Sequence, residues 1–324
     1  MTWQGKRVLV TGAAGFVGSH LVDALVKCGA TVTALDSLHS GDMANLDEAR
    51  SLIAFREADV RDWEAVNDAT RHQDVVFHLA ANADVPYSLE HPQFDFEVNV
   101  LGSQNIMRAC MANDVGRLVF ASTAAVYGDP VYTPMDEDHP LRPISPYGAS
   151  KLAAENLGFA YHRSFGLPFT AIRISNSYGE RQTKYVIHDL LAKLLSDPGR
   201  LEVLGDGNQH RDFCHVSDVS RCFILAAESD TMRGEALNLA GPGSISIRDL
   251  AHLVLELLGL DGKTAVSYTG RSWQGDISLL LPDIAKARRL LGFSPEIALK
   301  GGLGTLIRWL EAQKGWELSA LRSR

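Results

Sequence analysis

The sequence is poor in the features that mark secreted, membrane-spanning or nucleic-acid-binding proteins. Its four cysteines, Cys28, Cys110, Cys214 and Cys222, are scattered with no Cys-x-x-Cys pair. That spacing argues against a disulfide framework or a zinc ribbon; reduced, buried thiols and no metal site are the expectation. No apolar run approaches the roughly 18 residues of a membrane span. The start, MTWQGKRVLVTG, passes from a few polar residues into a strand-length apolar run without a charged leader, so a cytoplasmic protein is expected. Basic charge is in deficit: 31 Lys and Arg face 39 Asp and Glu, a formal net charge of -8, which disfavours nucleic acid or an anionic membrane as partner. Low-complexity tracts and internal repeats are missing too, and with 46% hydrophobic and 22% charged residues disorder is not expected. At 324 residues the chain exceeds the usual size of one core and predicts a large domain with a second lobe.

What is present in the first half is alternation. KRVLVT, TVTALD, DVVFHLA, RLVFAST and FTAIRIS are short apolar runs rich in β-branched residues, separated by helix-length amphipathic stretches. Such βα units predict an α/β fold with a doubly wound parallel (Rossmann) sheet, its strands buried on both faces. Past Asn176 the signals become less regular and predict a smaller C-terminal mixed α/β lobe. The expected division is 1–175 for dinucleotide binding and 176–324 for substrate, with 205–230 returning to the main sheet.

The loop TGAAGFVGSH follows the first strand and opens the first helix, setting Gly12, Gly15 and Gly18 as G-x-x-G-x-x-G. Glycines there let the backbone turn tightly and aim helix N–H groups at a pyrophosphate. Asp36 ends TVTALD eighteen residues past Gly18, where a carboxylate suits ribose hydroxyls and repels a 2′-phosphate. With no Lys or Arg in SLHSGDM, NAD is expected rather than NADP. In SPYGASK, Tyr147 and Lys151 stand four residues apart, stacked on one helix face. Taken alone, that pair is as consistent with two polar residues on a helix surface as with a proton-transfer device.

The order of TGAAGFVGSH, ALDSLHSG, ADVRD, HLAANADVPYS, NVLGSQN, FASTAAVYG, PISPYGASK, RISNSYGERQ and GDGNQHRDFCHVSDV resembles the extended short-chain dehydrogenases that act on nucleotide sugars, UDP-galactose 4-epimerase-like members above all. The resemblance covers roughly the first 220 residues, with a fainter tail in GDISLLLPDIAKARRLLGF. It implies Thr123, Tyr147 and Lys151 as the catalytic trio. A sugar hydroxyl must lose its proton as hydride leaves the carbon; a free phenol, with a pKa of about 10, needs a neighbouring cation to do this at neutral pH. The resemblance further implies that Gly12, Gly15, Phe16, Val17, Gly18, Asp36, Asp59, Val60, Leu79, Ala80, Ala81 and Asn99 hold NAD, with Tyr147 and Lys151 also touching it. Towards a nucleotide-diphosphate sugar it implies Ser88, Thr123, Asn176, Val203, Leu204, Arg211 and Arg271. In GRSWQGD, Trp273 replaces the arginine usual three residues before the aspartate, and Leu280 stands where some relatives place a bulky gate residue. His78, at a strand end, is expected to be a satisfied core residue.

Dehydratases of this kind carry an acidic pair directly after the threonine, and decarboxylases a glutamate in the same turn. Here Ala124 and Ala125 occupy it. What remains suits epimerisation at C4 through a transient ketone, on a UDP-hexose or UDP-hexuronate, with NAD retained. The alternatives are a decarboxylase or other C4-oxidising relative and, outside enzymes, a non-catalytic NAD-sensing protein. A homodimer formed through QFDFEVNVLGSQNIMRACM and PYGASKLAAENLGFAYH is expected by the same resemblance.

Overall fold

The structure, a computed structural model, describes residues 2–271 and 277–323. The first half runs β1 (Arg7–Thr11), α1 (Phe16–Lys27), β2 (Thr31–Asp36), β3 (Ile53–Glu57), α2 (Trp63–Thr70), β4 (Val75–His78), α3 (Val85–Glu90), α4 (Pro92–Phe96), α5 (Ser103–Ala112), β5 (Arg117–Thr123), α6 (Pro146–Phe165) and β6 (Phe169–Ile174). A π-helical turn, Glu97–Gly102, joins α4 to α5. The remainder holds β7 (Asn176–Tyr178), α7 (Val186–Ser196), β8 (Arg200–Val203), β9 (His210–His215), α8 (Val216–Glu228), β10 (Glu235–Leu239), β11 (Ser244–Ser246), α9 (Ile247–Leu258), β12 (Ala265–Tyr268), β13 (Leu279–Leu280), α10 (Ala285–Leu291) and α11 (Leu299–Lys314).

Seven strands form one parallel sheet in the order β10-β6-β5-β4-β1-β2-β3. Because side chains alternate across a strand, each strand feeds two cores. Val8, Val10, Val75, Phe77 and Val119 point to the face covered by α1 and α8, where Leu21, Leu25 and Phe223 are buried. Leu9, Val76, Leu118 and Phe120 point to the other, under α2, α5 and α6, with Val66, Ile106 and Met107. Near-continuous apolar strands are what a sheet covered on both sides requires. Of the chain past residue 175, α8 lies on α1, while β10 adds the last parallel strand beside β6; β10 lies beyond the 205–230 stretch, and β9, inside that stretch, instead joins β7, β11 and β13.

A separate core gathers Leu190, Leu191 and Leu194 of α7, Leu250, Val254 and Leu258 of α9, and Leu303, Leu306 and Leu310 of α11. All four cysteines are free, yet Cys28 is exposed, contrary to the expectation that each thiol is buried; it caps the C-terminal end of α1, where the helix runs into solvent. No helix among the described residues is long and apolar enough to cross a membrane.

The direction of the chain reverses between β1 and β4: β2 and β3 extend one way, β4 onward the other. Loops leaving the carboxyl ends of β1 and β4 therefore diverge and open a crevice.

Candidate active site

That crevice is the mouth of a cavity of about 940 Å³. One wall is the turn after β1. Gly12 has φ of +68°, and a Cβ on it would stand 2.7 Å from the Ala80 nitrogen, so only glycine lets this turn press against the end of β4. Beyond it α1 begins at Phe16, presenting its first N–H groups to the cavity. Asp36, at the end of β2, is buried; its carboxylate accepts from the Ala14 N–H at 2.9 Å and the Leu38 N–H at 2.8 Å. Burial raises its pKa, and those backbone bonds oppose the rise.

Gly12, Gly15, Phe16, Val17, Gly18, Asp36, Asp59, Val60, Leu79, Ala80 and Ala81 all line this groove. The donor turn, the bare glycine backbone and the carboxylate at the end of β2 fit the pyrophosphate and ribose of a dinucleotide. Asp59 is shared with Arg61, which donates to it through Nε at 3.0 Å and Nη2 at 2.7 Å and holds its carboxyl below the usual range.

At the far wall, α6 starts on a cap the sequence spells out. The Ser145 hydroxyl accepts from the Gly148 N–H at 3.1 Å, and Pro146 occupies the first turn. A Cβ on Gly148 would stand 2.7 Å from the Ala125 carbonyl oxygen, so the missing side chain brings the helix against the turn after β5. That approach joins the trio. The Thr123 hydroxyl, at the end of β5, faces the Tyr147 phenol and accepts from the Ala125 N–H at 3.1 Å. Lys151 is buried one turn on, its Nζ 4.1 Å from the centre of the Phe120 ring.

Burial raises the Tyr147 pKa, and the Thr123 hydroxyl opposes this. Burial lowers that of Lys151 to about 7, against the carboxylates of Asp95 and Glu155. Tyr147 and Lys151 both line the cavity, on the threonine and beside the groove, rather than decorating a helix surface.

Not every expected residue reaches the cavity. Asn99 is buried: its Oδ1 accepts from the Asn82 N–H at 2.9 Å, and its Nδ2 donates to Asp95 and Ser150. It ties the loop after β4 to α6 and does not face the groove. Ser88 is likewise buried and accepts from the Tyr147 N–H at 3.2 Å, which makes it a support for the tyrosine instead of a sugar contact.

Asn176, Arg211 and Leu280 do line the cavity, Leu280 packed with Ala124 of the turn after β5. Arg211 Nη1 donates to the His210 carbonyl at 2.8 Å. Val203 is packed into the second core and Leu204 is 54% exposed; neither lines the cavity. Arg271 is exposed, off the cavity wall, with its carbonyl accepting from the Gly205 N–H at 3.0 Å. Trp273 and Asp276 lie outside the described residues. His78 is a satisfied core histidine, bonded at 2.7 Å to Thr11 and 2.9 Å to Ser103.

Two sets of lining residues lie in or beside quoted motifs but carry no expected site residue. The loop after β2 folds back on the groove, with Asn45 Nδ2 donating to the Ala14 carbonyl at 2.9 Å. The segment between β7 and α7 crosses from one wall to the other. On the α1 side His20 bonds the Glu180 carbonyl at 3.0 Å and Arg181 pairs with Asp23 at 2.7 Å. On the β4 side Lys184 pairs with Asp84 at 3.1 Å and the Tyr185 hydroxyl donates to the Ala83 carbonyl at 2.6 Å. Arg181 and Tyr185 both have positive φ, +68° and +76°, values no residue pattern announces.

Comparison with known proteins agrees with this geometry. Residues 8–240 match the NAD dependent epimerase/dehydratase family. A putative UDP-glucose 4-epimerase of Methanocaldococcus jannaschii is 36% identical over 94% of this chain and 98% of its own length. Among solved structures, the UDP-N-acetylglucosamine 4-epimerase of Methanobrevibacter ruminantium M1, in complex with UDP-N-acetylmuramic acid, superposes with a TM-score of 0.89 at 32% identity, covering 96% of this chain and 99% of that one. The dTDP-glucose 4,6-dehydratase DesIV of Streptomyces venezuelae, solved with NAD and TYD bound, gives 0.88 at 32% identity, over 96% and 98%.

Proposed function

The chain belongs to the NAD dependent epimerase/dehydratase family, an enzyme family using NAD, and we propose that within it this protein is a nucleotide-sugar 4-epimerase acting on a UDP-hexose or UDP-hexuronate. The observation that carries the reading is the turn after Thr123. Ala124 is buried in a small apolar cluster and Ala125 lines the cavity, so neither position offers a group that moves a proton. Dehydration and its relatives need such a group beside the oxidised carbon; inversion does not.

Bound NAD supplies the acceptor, and afterwards the donor, of a hydride. The protein's own part is proton work and orientation. The Tyr147 oxygen takes the C4 hydroxyl proton as the ketone forms and returns it when the alcohol re-forms. Thr123 shares the hydroxyl's hydrogen bond and fixes the carbon in place. The Lys151 ammonium favours the phenolate. Arg211 and Asn176, both on the cavity wall, suit a diphosphate, arginine by its planar fork. Asp36, with no Lys or Arg on the adjoining 37–45 wall, supports NAD over its phosphorylated form.

Incubation of the NAD-loaded protein with UDP-glucose, UDP-N-acetylglucosamine and UDP-glucuronate, followed by proton NMR and mass analysis, tests the reading. The expected product is the C4 epimer of unchanged mass; loss of water or carbon dioxide overturns it. Tyr147→Phe is expected to lower turnover by about 1,000-fold with NAD still bound. Exposed Phe96 and Leu101 on the α4–α5 stretch, with Phe165 at the end of α6, support a homodimer through these helices, which a sizing experiment checks.

A further inference from the structure

We infer that Asp95, buried behind the cavity wall, is a positioning residue: it fixes the Tyr147–Lys151 turn of α6 through Ser150 and supplies the negative field in which Lys151 stays an ammonium. The inference rests on the proposed chemistry, in which that ammonium favours the Tyr147 phenolate. Asp95 is 1% exposed, on α4, and does not line the cavity. Three neutral donors converge on its carboxylate: Asn82 Nδ2 at 2.8 Å, Asn99 Nδ2 at 3.1 Å and the Ser150 hydroxyl at 2.5 Å. A buried carboxylate satisfied by amides and a hydroxyl keeps its charge un-neutralised at short range, and its field reaches whatever cation lies nearby.

Ser150 directly precedes Lys151, and its hydroxyl oxygen, whose one proton goes to Asp95, stands 3.0 Å from the Tyr147 carbonyl. One serine thus ties Asp95 to the helix turn that carries both members of the pair. Sequence position carries the same message: Asp95 and Asn99 stand four apart, on one helix face across the π turn, both turned towards α6.

The other charged or titratable groups facing the pair are few. Glu155, one turn further along α6, is 0% exposed and paired with Arg173 at 2.7 Å, so much of its charge is already answered. His78 on β4 is neutral, its pKa lowered by burial to about 3. Tyr185, from the loop before α7, faces Tyr147 and opposes its ionisation. Asp95 is the leading charge supporting protonated Lys151, ahead of Glu155, and it also opposes ionisation of Tyr147. Removing its charge therefore moves both titrations the same way, to lower pH.

The test is Asp95→Asn in the NAD-loaded enzyme, with two readouts. One is the pH profile of bound-NAD reduction by UDP-glucose in a single turnover. The other is the Nζ shift of Lys151 in [15N]lysine-labelled protein, assigned with Lys151→Met and followed against pH. The expected result is both limbs of the profile, and the Nζ midpoint, displaced to lower pH by about one. A limb and midpoint left in place in folded Asp95→Asn overturn the inference.

Ser150→Ala is the second arm and stands alone if the first variant does not fold. It removes the link but keeps the charge, so the rate is expected to fall with limbs unmoved; displaced limbs or an unchanged rate overturn the inference. The Nζ titration needs no turnover. Failure of the proposed reaction, seen as no nucleotide sugar reducing NAD in the unsubstituted enzyme, is thereby told apart from failure of the inference.

Discussion

At Gly148 one methyl group is enough to disturb the chemistry. A Cβ meets the Ala125 oxygen at 2.7 Å and Pro143 at 3.0 Å, so Gly148→Ala must lift the first turn of α6 and with it Tyr147 off Thr123. Because misplacement by about 1 Å can cost about 100-fold, kcat is expected to fall by about that factor while NAD binding, measured by cofactor extraction, is kept. Tyr147 and Lys151 were legible as a stacked pair from spacing, and Gly12 and Asp36 from their places at strand ends. Thr123 came only from the family resemblance, since a hydroxyl at a strand end has many uses. The sequence points Asn99 and Ser88 to ligands because a polar side chain in a motif reads the same whether it serves a ligand or the protein's own backbone. Their buried bonds to Asn82 and to the Tyr147 N–H decide for the second.

At the scale of elements, α6 is anchored to the sheet by charge as well as by apolar contact. Glu155 accepts from Arg173 of β6 and from Ser122 of β5, and Arg173 Nη1 donates to the Tyr127 hydroxyl at 2.9 Å, which donates to Asn238 of β10 at 2.6 Å. Four sheet or helix segments share one buried network. Arg173→Met strands the Glu155 carboxylate without its cation, and a loss of about 3 kcal/mol is expected in a urea titration; Arg173→Met combined with Glu155→Gln is expected to recover part of it. The strands of the first half could be read from β-branched runs because both sheet faces are buried. β10 was missed since EALNL is short and mixed, and it earns strand status only by pairing with β6. The π turn at 97–102 has no residue pattern of its own; it follows from packing against α6.

For the molecule as a whole, buried titrating groups tie stability to pH. His78 and His20 are held by burial at about 3 and about 4 in the folded state, against 6.5 unfolded. Their folded values lie below the unfolded one, so the stability they permit is present above pH 6.5 and is lost as pH falls towards 4. Asp212, raised by burial to about 6 from 3.8, works the other way between those values. Among these three groups two losses against one gain leave about one net proton, a decline of about 1.4 kcal/mol per pH unit between pH 6 and 4, which the lowered His188 and His215 steepen and the raised Asp36 and Glu137 oppose; urea midpoints against pH check the falling direction. A main sheet and a second, smaller core are legible in outline, whereas the 180–185 crossing is not, since it depends on partners up to 160 residues away. That crossing fastens on α1 at one bank of the groove and on residues 83–84 at the other. On the proposed function, a dinucleotide in the groove rests against this crossing like a rod under a buckled belt, and is expected to leave only when the buckle is undone. Lys184→Met with Tyr185→Phe is expected to speed its escape, followed by gel filtration and absorbance of the retained coenzyme. On the proposed reading, in which the hydride is returned, such a fastening makes the electron store a fixture, insulated from the redox poise of its surroundings.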